Sequence, residues 1–195
     1  MKLKSVIYTV IVTLFMSSVG AQVKNEKEER VEPSSFPTIA KTVIDVLPDK
    51  CKRLKFYKER DNNKISFEVK FKYNQKRYSL EFSKDGYIED IEVVTKFKKI
   101  ETLSKRHIEA YFKLNFTKHR FIKIQKQFVY SNAYSATQFV LDVLSQNSKV
   151  ANQFEIIAEV NSAKKREIAE FTFSSSGKFQ NIRLIEPTSY EHVLY

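Results

Sequence analysis

Two phrases in this chain share one pattern: "EFSKDGYIEDIE" at residues 81–92 and "TFSSSGKFQNIR" at residues 172–183, offset by 91 positions. Each contains Phe-Ser-x-x-Gly-x-apolar-x-x-Ile. The chain has only 3 glycines. Gly20 falls in a segment expected to be removed, so Gly86 and Gly177 are the two that remain, at the same place in the phrase. A strand that ends at an inward-facing Phe82 or Phe173 must reverse within four residues, and glycine supplies positive φ there at no steric cost. The next apolar residues, 88 and 91 or 179 and 182, are three apart, whereas a regular strand alternates by two. A β-bulge just after each turn would restore the inward face.

The surrounding residues extend the pattern in both directions. "KISFEVKFKY" places Ile65, Phe67, Val69, Phe71 and Tyr73 on one face and Lys64, Ser66, Glu68, Lys70 and Lys72 on the other, as a half-buried strand requires. "KRLKFYKE" precedes it and "RYSLEF" and "YIEDIEVV" follow, joined by short polar turns. Four such strands predict an antiparallel meander with one wet face. The same order recurs as "HRFIKIQKQFVY", "QFEIIAEV", "REIAEFTF" and "KFQNIRLI". A helix is expected before each set. The first runs between Pro37 and Pro48, with Ser35 as cap and Ile39, Val43, Ile44 and Leu47 on one face; the second is capped by Ser104, with Leu103, Ile108, Tyr111 and Phe112 apolar. Ile65 aligns with Ile156, Leu80 with Phe171 and Gly86 with Gly177 at the common offset, while the first strands align at a smaller one. The difference places an insertion at 131–152. The expected fold class is therefore α+β: a tandem repeat of a helix packed on an antiparallel, about four-stranded β-meander sheet. The expected boundaries are 36–100 for the first unit, 101–187 for the second and 188–195 for a tail.

The N-terminus has Lys2 and Lys4, an apolar run "VIYTVIVTLFM", then "SSVGA". This is the layout of a secretory signal peptide over residues 1–21, cut after Ala21, and it predicts a periplasmic or secreted protein. The apolar run is about half the length of a bilayer-spanning helix, and no later segment reads as transmembrane. Residues 22–35, "QVKNEKEERVEPSS", read as a flexible leader. Cys51 is the only cysteine, so no internal disulfide can form, and it reads as a small buried hydrophobe or as a thiol open to pairing between chains.

The formal net charge is +11, and its distribution is uneven. Residues 50–126 hold 22 Lys and Arg against 10 Asp and Glu, whereas 127–195 hold 6 against 7. The outward face of the first sheet is expected to carry Arg53, Lys55, Lys70, Lys72 and Arg77, interleaved with Tyr57. Such a face suits an acidic partner; nucleic acid would need a similar one, but an exported protein seldom meets it. His107, His119 and His192 lack metal-ligand spacing to one another. Asp85, Glu89, Asp90 and Glu92 lack the alternating oxygen ligands of a calcium loop and read as a solvated turn and strand edge. No phosphate-binding glycine loop and no nucleophile with its base is legible, so no enzyme, cofactor or metal is expected. Asn115–Thr117 fits a glycosylation acceptor.

"ISFEVKFKYNQKRYSLEFSKDGYIEDIE" and "FEIIAEVNSAKKREIAEFTFSSSGKFQNIR", each after a helix and all after a signal peptide, resemble the PepSY-like family of small periplasmic or secreted domains. That family often occurs in tandem and is similar in architecture to β-lactamase-inhibitory protein. The resemblance covers residues 36–187 and implies a non-enzymatic binding or inhibitory module without implying its target. The function expected from all of this is an exported, non-catalytic module that contacts an envelope or secreted protein through the exposed basic sheet face. The alternative is an envelope carrier of an amphiphile held between helix and sheet, with residues 131–152 as a lid.

Overall fold

A computed structural model describes residues 22–132, 135–145, 151–162 and 165–187. The expected signal peptide, the 188–195 tail with His192, and parts of the 131–152 segment lie outside the described residues. Strands β1 (Gln22–Lys24) and β2 (Glu26–Arg30) are followed by helix α1 (Thr38–Ile44) and strands β3 (Lys52–Asp61), β4 (Lys64–Tyr73), β5 (Lys76–Ser83) and β6 (Ile88–Val94). Helix α2 (Thr102–Asn115), strand β7 (Lys118–Val129), helix α3 (Ala136–Leu144) and strands β8 (Gln153–Ser162), β9 (Lys165–Ser174) and β10 (Phe179–Ile185) complete the chain.

All ten strands belong to one sheet, in the order β1-β10-β9-β8-β7-β6-β5-β4-β3-β2. This corrects the expectation of two helix-on-meander units. The eight strands β3–β10 do pair as antiparallel neighbours, but β6 hydrogen-bonds directly to β7, with Asp90 opposite Val129 and Val94 opposite Gln125. The two meanders are therefore one surface. No local pattern encodes that pairing, because α2 and its flanks separate the two strands in sequence.

The residues expected as an open leader complete the sheet instead. β1 runs parallel to β10, with Gln22 opposite Arg183 and Lys24 opposite Ile185. β2 runs antiparallel to β3, with Glu26 opposite Asp61 and Arg30 opposite Tyr57. Only Asn25 separates them; its backbone N–H donates to Asp61 Oδ1 at 3.1 Å, and Asn62 Nδ2 donates to the Val23 carbonyl at 3.2 Å. One nine-residue stretch thus lines both outer edges, and the sheet curls into a nearly closed barrel. Unpaired edges invite pairing with other chains, and closure removes them.

The period-2 alternation decides which face goes where. The apolar face points outward and is covered by helices in two clusters. Val69, Leu80, Phe82 and Ile91 pack with Ala40 and Val43 of α1 and Phe139, Val140, Val143 and Leu144 of α3. Phe154, Ile156, Phe171 and Phe173 pack with Ile108 and Phe112 of α2. The Phe112 ring lies 4.8 Å from that of Phe171. Each such side chain contributes about 1.5–3 kcal/mol by leaving water. Helix phases differ in detail from the sequence reading: Ile39 and Leu103 are exposed. Ser104 does not cap α2; it is buried and donates Oγ–H to the Ser175 carbonyl at 2.7 Å.

Both glycine turns have the geometry their phrase predicts. Gly86 has φ +89 and Gly177 φ +79. In the first turn Ser83 Oγ accepts from the N–H of Tyr87 at 3.2 Å; in the second Ser174 Oγ accepts from the N–H of Lys178 at 3.2 Å. Phe82 pairs with Ile88 but Glu81 with Asp90, so Glu89 is the extra residue of a bulge. Likewise Phe173 pairs with Phe179 but Thr172 with Asn181, which leaves Gln180 as the extra residue. The glycines also admit the helices: a Cβ on Gly86 would stand 2.7 Å from Pro37 Cβ and 3.0 Å from Ala40 N, and one on Gly177 would run into the Ser104 backbone.

Candidate functional site

The other face of the same strands lines the inside of the curl. It encloses a cavity of about 210 Å³ whose wall holds eleven Asp and Glu against five Lys and Arg. A closed sheet shields this face from water, so its charges must be paired, neutralised by protonation, or matched by a bound ion. The seam shows the first solution. Lys24 Nζ lies 2.8 Å from Glu26 and 2.5 Å from Glu170, and Arg183 bridges Asp61 and Glu170. Lys70 Nζ lies 2.6 Å from Glu28 and 3.1 Å from Glu68 and sits 5.0 Å over the Tyr57 ring. Against burial, which would lower it, the Glu68 and Glu28 carboxylates hold the Lys70 ammonium well above its usual range. Against the upward push of burial, Lys24 holds the Glu170 carboxyl low.

The middle of the wall follows the second pattern. Burial, then the neighbouring Asp90 and Glu92, holds the Glu81 carboxyl well above the ordinary range. Burial and Glu89 push Asp90 up to about 7, opposed by a hydrogen bond from Gln127 and by the charge of Lys64. Burial, then Glu155 and Asp90, raises Glu92, opposed by Lys123 and Lys24. Burial and Glu170 push Glu155 up to about 8. Asp90 and Glu92 are 8% and 6% exposed, which corrects the reading of "DGYIEDIE" as a solvated strand edge. Alternation marked these residues as belonging to the non-core face, and nothing in the sequence says that this face is turned inside a curl. A retrospective signal exists: Glu68, Glu81, Asp90, Glu92, Glu155 and Glu170 recur on the polar face of β4, β5, β6, β8 and β9.

Of the residues expected on a basic outer face, Lys70 belongs to this interior. Arg53, Lys55, Lys72 and Arg77 are exposed, and Tyr57 is half-buried. Lys72 lies opposite both Lys52 and Arg77, so three exposed cations form one row across β3, β4 and β5. Arg53 occupies an irregular register between Lys52 and Lys55, at φ 58. Like charges directly opposite one another on a sheet are unfavourable. His107 Nδ1 lies 2.7 Å from the Ser176 carbonyl and fastens α2 to the second turn; His119 packs 5.0 Å from the Phe112 ring. Cys51 is partly buried against the first core cluster. No described helix is long and apolar enough to cross a membrane.

No protein-family model matches the chain, and no curated protein matches it. Among solved structures, a DUF2874 family protein from Bacteroides ovatus is similar over 77% of this chain and 88% of its own, with a TM-score of 0.51 and 8% identity. A protein from Bacteroides eggerthii, provisionally described as periplasmic, is similar over 76% and 88% with TM-score 0.48 and 8% identity. One from Bacteroides thetaiotaomicron, provisionally described as a calcium-regulated periplasmic protein, is similar over 80% and 95% with TM-score 0.30 and 15% identity. At these identities the likeness is one of fold. The expected PepSY-like resemblance does not hold: no model of that family matches, and the sheet is a single curled surface rather than a tandem of helix-on-meander units.

Proposed function

We propose that the chain is an exported, non-catalytic binding module that contacts an acidic surface of an envelope or secreted protein. The contact is made by the exposed cations at the end of the sheet where β4 turns into β5. Export rests on the three-part N-terminal segment of residues 1–21. One observation carries the contact surface: Lys52, Lys72 and Arg77 stand in one exposed row, flanked by Lys55, with no acidic side chain of the described chain paired to any of them. Such a row costs stability in the free protein and gains from an acidic partner, which also steers association. Lys70 is not part of that surface, because Glu28 and Glu68 hold it. The carrier alternative has less support, since the apolar side chains of α3 are themselves core residues packed beside α1.

The test is capture of partners from a native envelope fraction by wild-type protein and by a Lys55→Glu, Lys72→Glu, Arg77→Glu variant. The expected result is loss of the captured protein with an unchanged circular dichroism spectrum, and weakening of wild-type capture by salt. Equal capture by the variant would exclude this surface.

A further inference from the structure

We propose that Glu81, Asp90 and Glu92 form a site for a hard divalent cation of the calcium class inside the curl of the sheet. The three carboxylates come from adjacent strands. Glu81 on β5 stands directly opposite Asp90 on β6, and Glu92 is two positions further along, on the same face. One oxygen from each of the three lies within 4.8 Å of the others, a separation that a single ion can span with bonds of about 2.3–2.6 Å.

The acids alone would not make a site. The second observation is an orphaned atom. Asp90 is 8% exposed; its Oδ2 accepts from Gln127 Nε2 at 3.1 Å, but its Oδ1 is buried with no hydrogen-bond partner. A buried carboxylate oxygen left unsatisfied is costly, and an ion among the three carboxylates would satisfy it. The neighbouring amides are arranged to hold the ligands: Gln127 donates to Asp90 and Gln125 Nε2 donates to Glu92 Oε2. Such outer hydrogen bonds fix ligand orientation. An all-oxygen, carboxylate-rich set selects hard cations over zinc or copper.

A second trio in the same cavity, Glu26, Glu28 and Glu59, is equally close-set. It does not carry the same inference, because Lys24 already lies 2.8 Å from Glu26 and Lys70 2.6 Å from Glu28. For the first trio, Lys64 is paired instead to Glu89 at 2.7 Å, and the charge of Lys123 works against the rise of Glu92.

The experiment is calorimetric titration of chelator-treated full-length mature protein with calcium chloride and, separately, magnesium chloride, alongside thermal unfolding with and without each salt. The expected result is saturable uptake near one ion per chain and a higher Tm. Asp90→Asn and Glu81→Gln should each weaken uptake about tenfold or more and abolish the calcium-dependent rise in Tm. Each variant replaces a carboxyl whose charged form burial already disfavours, so their ion-free forms should unfold at or above the wild-type temperature. A Glu26→Gln variant should bind as wild type does. No uptake of either ion by the wild-type protein, or undiminished uptake by both Asp90→Asn and Glu81→Gln, would overturn the site. The exposed cation row at the β4–β5 end of the sheet is unaffected by either outcome, so this test and the capture experiment fail independently.

Discussion

Replacing Glu155 by Gln gives the sharpest test of the idea that the polar face is enclosed. In the folded chain burial and Glu170 push this carboxyl up to about 8, from an ordinary 4.5. Between those values the folded state binds a proton that the unfolded state has released, so stability falls as pH rises through that window and levels off above it. The gap of about 3.5 pH decades, at about 1.4 kcal/mol each, sets a ceiling near 5 kcal/mol. The side chain is only half-buried and retains part of its water, which brings the expected effect to about 2–3 kcal/mol. Gln has the shape of the protonated acid and does not titrate. Urea unfolding in the presence of a chelator should therefore give equal stabilities for the two proteins near pH 5 and should favour the variant by that amount near pH 8.5. Parallel curves across the whole range would mean that Glu155 titrates as an exposed acid and that the face is open to water.

Other outcomes follow from the same geometry. Lys70→Ala leaves Glu28 and Glu68 without their shared ammonium and should cost about 3 kcal/mol in urea unfolding, whereas Lys72→Ala on the exposed row should change stability by less than about 0.5 kcal/mol. Gly177→Ala combines positive φ with a collision against the Ser104 backbone and should lower stability by about 2 kcal/mol or more by the same measurement. Phe112→Ala empties the centre of the second cluster and should cost about 3–5 kcal/mol. Mass spectrometry of the exported protein should find Gln22 at its N-terminus.

How much of this was legible depended on whether the cause was local. Turn chemistry is local: the Ser-x-x-Gly phrase specified the positive φ at Gly86 and Gly177 and, through the three-residue spacing, the bulges at Glu89 and Gln180. Strand alternation is local too, and it separated Phe67, Val69 and Leu80 from Glu68 and Lys70 correctly. What alternation cannot express is curvature. A polar face reads the same whether it meets solvent or its own far side, so Asp90 and Glu92 read as exposed and Lys70 as an outer cation. The β6–β7 pairing and the two-edged role of residues 22–30 depend on partners far away in sequence, and charged, short strands such as "EKEER" carry no apolar period to announce them. The family resemblance failed for a related reason: it leaned on turn phrases that many antiparallel hairpins can share.

The closing stretch also sets an order of events. Gln22–Arg30 is the first part of the described chain to be synthesised, yet one of its two neighbours, β10, is the last strand made. Until that strand arrives, the nascent chain holds a ready-made adhesive ribbon with one site still missing. A second molecule whose own ribbon has not yet docked offers the identical groove, so exchange of this ribbon between two copies is the natural misassembly of the fold. Release of a mature end directly at Gln22 would leave no slack to reach across, favouring closure within one molecule.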